Sequence, residues 1–60
     1  MSFAARLRHC ETIAEIIIEC KKLRDTEGAS EKDIQTAQNI LQMSQDQQET
    51  LLQFMQQNRQ

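Results

Sequence analysis

The sequence predicts an all-α fold in which two helices form an antiparallel hairpin. Its 60 residues contain no proline and a single glycine, so only one position stands out as a helix break. That residue is Gly28, which can adopt the left-handed conformation found just after a helix end. Ser30 follows as a candidate N-cap, and Asp33 is spaced to complete a capping box with it. We therefore expect one domain, residues 1–60, with a turn at 28–30.

The first helix is predicted over residues 3–27, with Ser2 as its N-cap. Its apolar residues recur at spacings of three and four and form two adjacent stripes. The first stripe consists of Phe3, Leu7, Cys10, Ala14 and Ile17. The second stripe consists of Ile13, Ile16, Cys20 and Leu23. Together they are wider than the seam of a two-stranded coiled coil, so one neighbouring helix would not cover both.

The second helix is predicted over residues 31–58, where the same spacing continues. Its central seam consists of Ile34, Ala37, Leu41, Ser44, Gln48, Leu51 and Met55, and the seam is flanked by Ile40, Leu52 and Phe54. Folding at the glycine would bring Ile17 beside Ile40. The two halves match in length and pattern, as an antiparallel hairpin requires.

Both predicted helices carry more apolar surface than a single hairpin can bury, and this favours association. A chain of this size buries only about 60% of the surface that its unfolded form exposes, so its stability alone is marginal. We therefore predict that two hairpins associate into a four-helix bundle, most simply an antiparallel or parallel homodimer. The predicted interface residues are Phe3, Leu7, Cys10, Ile13, Ile16, Ile17, Cys20, Leu23, Ile34, Ile40, Leu41, Leu51, Phe54 and Met55.

Two polar residues, Ser44 and Gln48, occupy core positions in the middle of the second helix. Polar side chains at such positions cost stability, but they can fix helix register because a shifted alignment leaves them unpaired. We predict that Ser44 and Gln48 specify register. The alternative is a slight rotation of the helix that lets both side chains reach water.

The sequence predicts no catalytic, cofactor-binding or metal-binding residues. His9 and Cys10 are adjacent, so on a helix their side chains point about 100° apart and do not share a metal ion. On one continuous helix Cys10 and Cys20 would lie about 15 Å apart, too far for a disulfide. We interpret both as small buried hydrophobic residues. A two-helix hairpin also lacks the concave site that catalysis needs, so we do not expect an enzyme.

Charge and hydropathy argue against two further classes of partner. The net charge is −2 and the largest basic cluster is residues 21–24 (KKLR), so nucleic acid is not the expected partner. The longest apolar run, residues 16–18 (III), is far shorter than the roughly 20 residues that span a bilayer. The lack of a disulfide framework fits a reducing compartment. We expect a cytoplasmic protein.

Residues 44–46 (SQD) are similar to the start of the Ser-Gln-Glu-Leu-Asp motif of small helical-hairpin phosphatases that act on sporulation response regulators. The likeness covers three residues, and Gln48 stands where the motif ends in an acidic residue. This resemblance implies one alternative, a helical regulator directed at a response regulator.

These observations predict a small non-enzymatic protein–protein interaction module, either a regulator or an assembly subunit, that oligomerises through wide apolar helix faces. Its partners would be a second copy of the chain and another protein. Two further interpretations stay open. One is an obligate subunit of a hetero-oligomeric helical complex. The other is a small RNA-binding helical regulator, for which the candidate cations are Arg6, Arg8, Lys21, Lys22, Arg24 and Lys32.

Overall fold

The all-α class is confirmed, but the chain forms four helices in place of the two that the sequence predicts. The computed structural model describes residues 1–59. Its helices are α1 (Phe3–Arg8), α2 (Ile13–Arg24), α3 (Glu31–Leu41) and α4 (Gln45–Gln57). The predicted first helix is thus divided into α1 and α2, and the predicted second helix into α3 and α4. The predicted helix bounds, 3–27 and 31–58, are therefore wrong.

The first predicted helix is interrupted by a capping box at Thr12. The Thr12 hydroxyl accepts a hydrogen bond from the Glu15 N–H, and the Glu15 carboxylate accepts one from the Thr12 N–H, each at 3.1 Å. The same carboxylate also accepts a bond from the Glu11 N–H at 2.7 Å. Thr12 itself is extended (φ −138°, ψ 161°), so α1 does not continue into α2. Because these bonds satisfy N–H groups that a helix start leaves free, a new helix begins here at small cost.

A second capping box, at Ser44, divides the other predicted helix. The Ser44 hydroxyl accepts a bond from the Gln47 N–H at 3.2 Å, and the Gln47 amide oxygen accepts one from the Ser44 N–H at 3.0 Å. Ser44 is exposed and has an extended backbone. The prediction that Ser44 occupies a core position and specifies register is therefore wrong: its side chain fixes where α4 begins.

The predicted turn is present, and Gly28 has the expected positive φ, +82°. α2 ends at Arg24, before the predicted end at residue 27. The Ala29 N–H then bonds to the Thr26 carbonyl at 3.3 Å, which closes a four-residue turn with Gly28 in its third position. This is the position where a type II turn requires positive φ, and glycine adopts that conformation without a steric penalty.

Two predicted N-caps are confirmed. The Ser2 hydroxyl accepts a bond from the Ala5 N–H, and the Ser30 hydroxyl accepts one from the Asp33 N–H, each at 3.1 Å. The reciprocal bond from the Ser30 N–H to the Asp33 carboxylate is not formed, so the predicted capping box at Ser30 is incomplete. Capping boxes use Glu or Gln at this position, and the Asp side chain is one methylene shorter.

The core surrounds α2, which packs against each of the other three helices. It is built from the buried residues Phe3, Leu7, Cys10, Ile16, Cys20, Leu23, Ala37 and Ile40. Ile16 and Cys20 are fully buried. Ile17, which the sequence places beside Ile40, is only half-buried, because the start of α2 at Ile13 sets a different rotation from that of one long helix.

This packing covers, within one chain, most of the apolar side chains that the sequence assigns to an interface between chains. The described part of the molecule measures 29 × 26 × 17 Å. A continuous helix over residues 31–58 would alone be about 42 Å long. The two breaks let the chain fold over itself, so association of two hairpins is not required to bury these side chains.

Candidate interaction surface on α1 and α4

The predicted interface residues separate into three groups. The members buried in the chain's own core are Phe3, Leu7, Cys10, Ile16, Cys20, Leu23 and Ile40. The half-buried members are Ile13, Ile17, Ile34, Leu41, Leu51 and Met55. The third group is Phe54 alone, which is 61% exposed. Of all the predicted interface residues, Phe54 therefore offers the most apolar surface to another molecule.

Phe54 borders an apolar groove between α1 and α4, with a volume of about 500 Å³. This α1–α4 groove is lined by Ala4, Leu7, Arg8, Thr36, Phe54, Met55 and Asn58. Its charged lining residue is Arg8, which is exposed and forms no ion pair with another residue of 1–59. The groove therefore combines an apolar wall with one cation and one side-chain amide.

Arg59 forms hydrogen bonds with the C-terminal end of α1, next to this groove. Its guanidinium donates to the Arg8 carbonyl at 3.0 Å and to the Cys10 carbonyl at 3.1 Å. It also donates to the Glu11 carboxylate at 2.8 Å, which completes an ion pair. The planar fork of an arginine suits several acceptors at once, and a cation at a helix C-terminus also complements the helix dipole. Nothing in the spacing of the sequence indicates this role, because Arg59 is distant in sequence from its acceptors.

A second, smaller depression lies near the N-terminal end of α4. This α4 hollow is lined by Met43, Asp46, Gln47 and Thr50 and has a volume of about 270 Å³. Asp46, Thr50 and Phe54 are spaced four residues apart and therefore lie along one side of α4. That side thus joins the α4 hollow to the α1–α4 groove.

A third depression lies between α1 and α2 and contains a cysteine and a histidine. It is lined by Met1, Arg6, His9, Cys10, Glu15, Ile18 and Glu19. Burial raises the pKa of the Cys10 thiol, and the Glu19 and Glu15 carboxylates raise that pKa further, while Arg59 opposes them. The Cys10 Sγ donates to the Arg6 carbonyl at 3.3 Å. A neutral, hydrogen-bonded thiol is a poor nucleophile, so this site lacks the thiolate that cysteine chemistry needs.

Cys20 is fully buried, and burial is the largest cause that raises the pKa of its thiol to about 11. Both cysteines are free thiols. The premise that they lie on one continuous helix is wrong, because the break at Thr12 separates them. Their burial agrees with the interpretation of both as small hydrophobic residues.

Gln48 is buried, with 7% of its surface exposed, so the alternative in which it reaches water is wrong. Its amide nitrogen donates to the Ile40 carbonyl at 3.0 Å. That carbonyl belongs to the last turn of α3 and also accepts the Met43 N–H at 3.1 Å. Gln48 thus connects α4 to the end of α3.

Within residues 1–59, no group of three or more His, Cys, Asp and Glu side chains is arranged to hold a metal ion. No helix in this part of the chain has the length and apolar character needed to cross a membrane. No known protein family, curated protein or solved structure matches the chain.

Proposed function

We propose that this chain is a small non-enzymatic protein–protein interaction module that binds its partner through the α1–α4 groove. The observation that carries the proposal is Phe54. Most other large apolar side chains turn inward, yet this aromatic residue is 61% exposed beside a groove that contains Leu7 and Met55. Exposed aromatic residues next to an apolar pocket are common anchors of protein interfaces.

The groove favours a partner of particular chemistry. An apolar side chain of the partner would pack against Phe54 and Met55, and a carboxylate would pair with Arg8. Asn58 offers a further hydrogen bond at the rim. An amphipathic helix presents such a combination on one face, so helix-in-groove binding fits this surface best.

The other interpretations have less support. In an obligate subunit of a heteromer, side chains from another chain would be needed to bury the core. Here the residues of one chain bury the core by themselves. For RNA binding, two of the candidate cations are engaged, Arg6 with Glu19 and Arg24 with Asp25. For a response-regulator-directed regulator, Ser44 is occupied as the N-cap of α4. A cytoplasmic location is part of the proposal, and the two free thiols support it because a reducing compartment keeps thiols free.

Photo-crosslinking in the source cells tests the proposal. A photoreactive phenylalanine analogue at position 54 is expected to give a protein adduct that disappears when Arg8→Glu is added. The matched control carries the analogue at Gln56, which is exposed on the opposite face of α4 and is expected to give no such adduct. The mass of the adduct distinguishes a second copy from a different protein. Equal labelling at both positions, or no adduct at position 54, would contradict the proposal.

A further inference from the structure

We infer that the partner on this surface is a second copy of the chain, with the two α4 helices packed antiparallel around a two-fold axis at Thr50. The inference rests on the proposed function and makes it specific. It starts from the order of features along α4. The α4 hollow, with Asp46, lies towards the N-terminal end, and Phe54 with the α1–α4 groove lies towards the C-terminal end.

In an antiparallel pair, the N-terminal part of α4 in one copy lies beside the C-terminal part of α4 in the other copy. With Thr50 on the axis, each residue four positions after Thr50 faces the residue four positions before it in the other copy. Phe54 of one copy then packs against the hollow beside Asp46 and Gln47 of the other, and the reverse contact forms at the same time. A two-fold interface of this kind is closed, so it gives a dimer and not a filament.

Charge complementarity supports the same alignment. Arg8 lies beside Phe54, and Asp46 lines the hollow that Phe54 would fill. The antiparallel pair therefore brings Arg8 of each copy to Asp46 of the other, which forms two equivalent ion pairs. A parallel pair would instead bring each charge towards its like charge, which is unfavourable. Within one chain, Phe54 and Asp46 are about 12 Å apart along α4, so Arg8 and Asp46 are not paired there.

The residues near the proposed axis permit close approach of the two helices. Thr50 is small, exposed and already satisfied, because its hydroxyl donates to the Asp46 carbonyl at 3.1 Å. Gln47 and Gln53, three residues before and after Thr50, flank it and carry no charge. Two helices that pack at the usual separation of about 8–10 Å would therefore meet through uncharged side chains beside the axis.

Sedimentation equilibrium from micromolar to millimolar concentration tests the inference with a charge-swap cycle. We expect Arg8→Glu and Asp46→Arg each to raise the dimer Kd about tenfold, because each places like charges together. The double variant should restore the Kd to near that of the wild type, since the pair is re-formed with reversed charges. Glu49→Arg is the matched control: Glu49 is exposed on α4 but points away from the Phe54 face, so the Kd should not change.

Circular dichroism of the same samples checks that each variant keeps its helicity. A wild-type monomer at all concentrations would overturn the inference, as would a double variant that is weaker than both single variants. Failure here is distinguishable from failure of the proposed function. A monomer that still crosslinks from position 54 to a different protein keeps the proposed function and removes only the second copy as its partner.

Discussion

At the scale of single residues, Gln48 shows how a buried polar side chain can fix the geometry of the connection between α3 and α4. The chain turns between α3 and α4 over residues 42–44, and the Gln48 amide bonds back to the Ile40 carbonyl. Its neighbours in the core are apolar, so the amide loses its contact with water when the chain folds. A buried donor is tolerated because it has an acceptor, and this bond links the position of α4 to the last turn of α3.

Gln48→Glu is expected to make stability depend on pH. The introduced carboxyl can donate to the Ile40 carbonyl only when it is protonated, and burial also disfavours its charged form, so its pKa in the folded state should rise. The stability of the variant is therefore fully present below the unfolded pKa of about 4.3 and is lost as pH rises through the higher folded pKa. At neutral pH we expect a loss of about 2–3 kcal/mol relative to the wild type.

Urea titrations monitored by circular dichroism at several pH values measure this effect. Gln47→Glu is the matched control, because residue 47 is exposed and a glutamate there preserves the capping box at Ser44. A Gln48→Glu variant whose free energy of unfolding follows that of the control at every pH would show that the Gln48 side chain is not buried against Ile40.

At the scale of secondary-structure elements, the two capping boxes decide the fold. Both are present in the sequence, as Thr12 with Glu15 and as Ser44 with Gln47. Neither segment contains glycine or proline, and apolar residues continue at helical spacing across both, so periodicity alone predicts uninterrupted helices. Apolar spacing reports which residues face inward, but a cap at the right position can start a new helix without changing that spacing.

Thr12→Ala is expected to lower the free energy of unfolding by about 1 kcal/mol, since α2 loses the acceptor for the Glu15 N–H. Thr36→Ala is the matched control. The Thr36 hydroxyl donates to the Lys32 carbonyl within α3. Losing this bond should have little effect on the free energy of unfolding, because alanine is a better helix former than threonine and offsets the loss. Chemical denaturation of both variants provides the measurement. Equal stability of the two variants would argue against a cap at Thr12.

The sequence predicts some of these elements better than others. The turn at Gly28 and the N-caps at Ser2 and Ser30 follow from local chemistry, and the structure contains all three. The candidate surface is harder to predict, because the groove depends on where α1 lies against α4. That placement is fixed by Arg59 and the Arg8 carbonyl, two groups far apart in sequence. Phe54 is predicted as an interface residue, but its neighbours in the groove follow only from the tertiary fold.

At the scale of the whole molecule, one chain buries its core by itself, so a partner is no longer needed to cover the apolar stripes. An open hairpin would need other chains to hide its apolar stripes. The folded chain hides most of these side chains itself, and the large apolar residues that it leaves exposed are Met1, Ile18 and Phe54. Association therefore depends on a local exposed surface, and the core is compatible with a chain that folds as a monomer.

Ile16→Ala is expected to remove most of the stability of this domain. Truncating a fully buried isoleucine costs about 2–5 kcal/mol, whereas a domain of this size has about 3–9 kcal/mol in total. Ile18→Ala, at a residue that is 52% exposed, should change stability by less than about 0.5 kcal/mol. Thermal unfolding followed by circular dichroism compares the two. A larger loss for Ile18→Ala would mean that α2 presents a different face to the core.

Small-angle X-ray scattering on the dilute Phe54→Ala variant tests the central claim most directly, because this variant removes the side chain proposed to hold a partner. The account predicts a monomer with a radius of gyration close to the 10.8 Å of the Cα trace, once hydration and side chains are included. An elongated particle at least about 42 Å long, as one continuous helix over residues 31–58 requires, would contradict it.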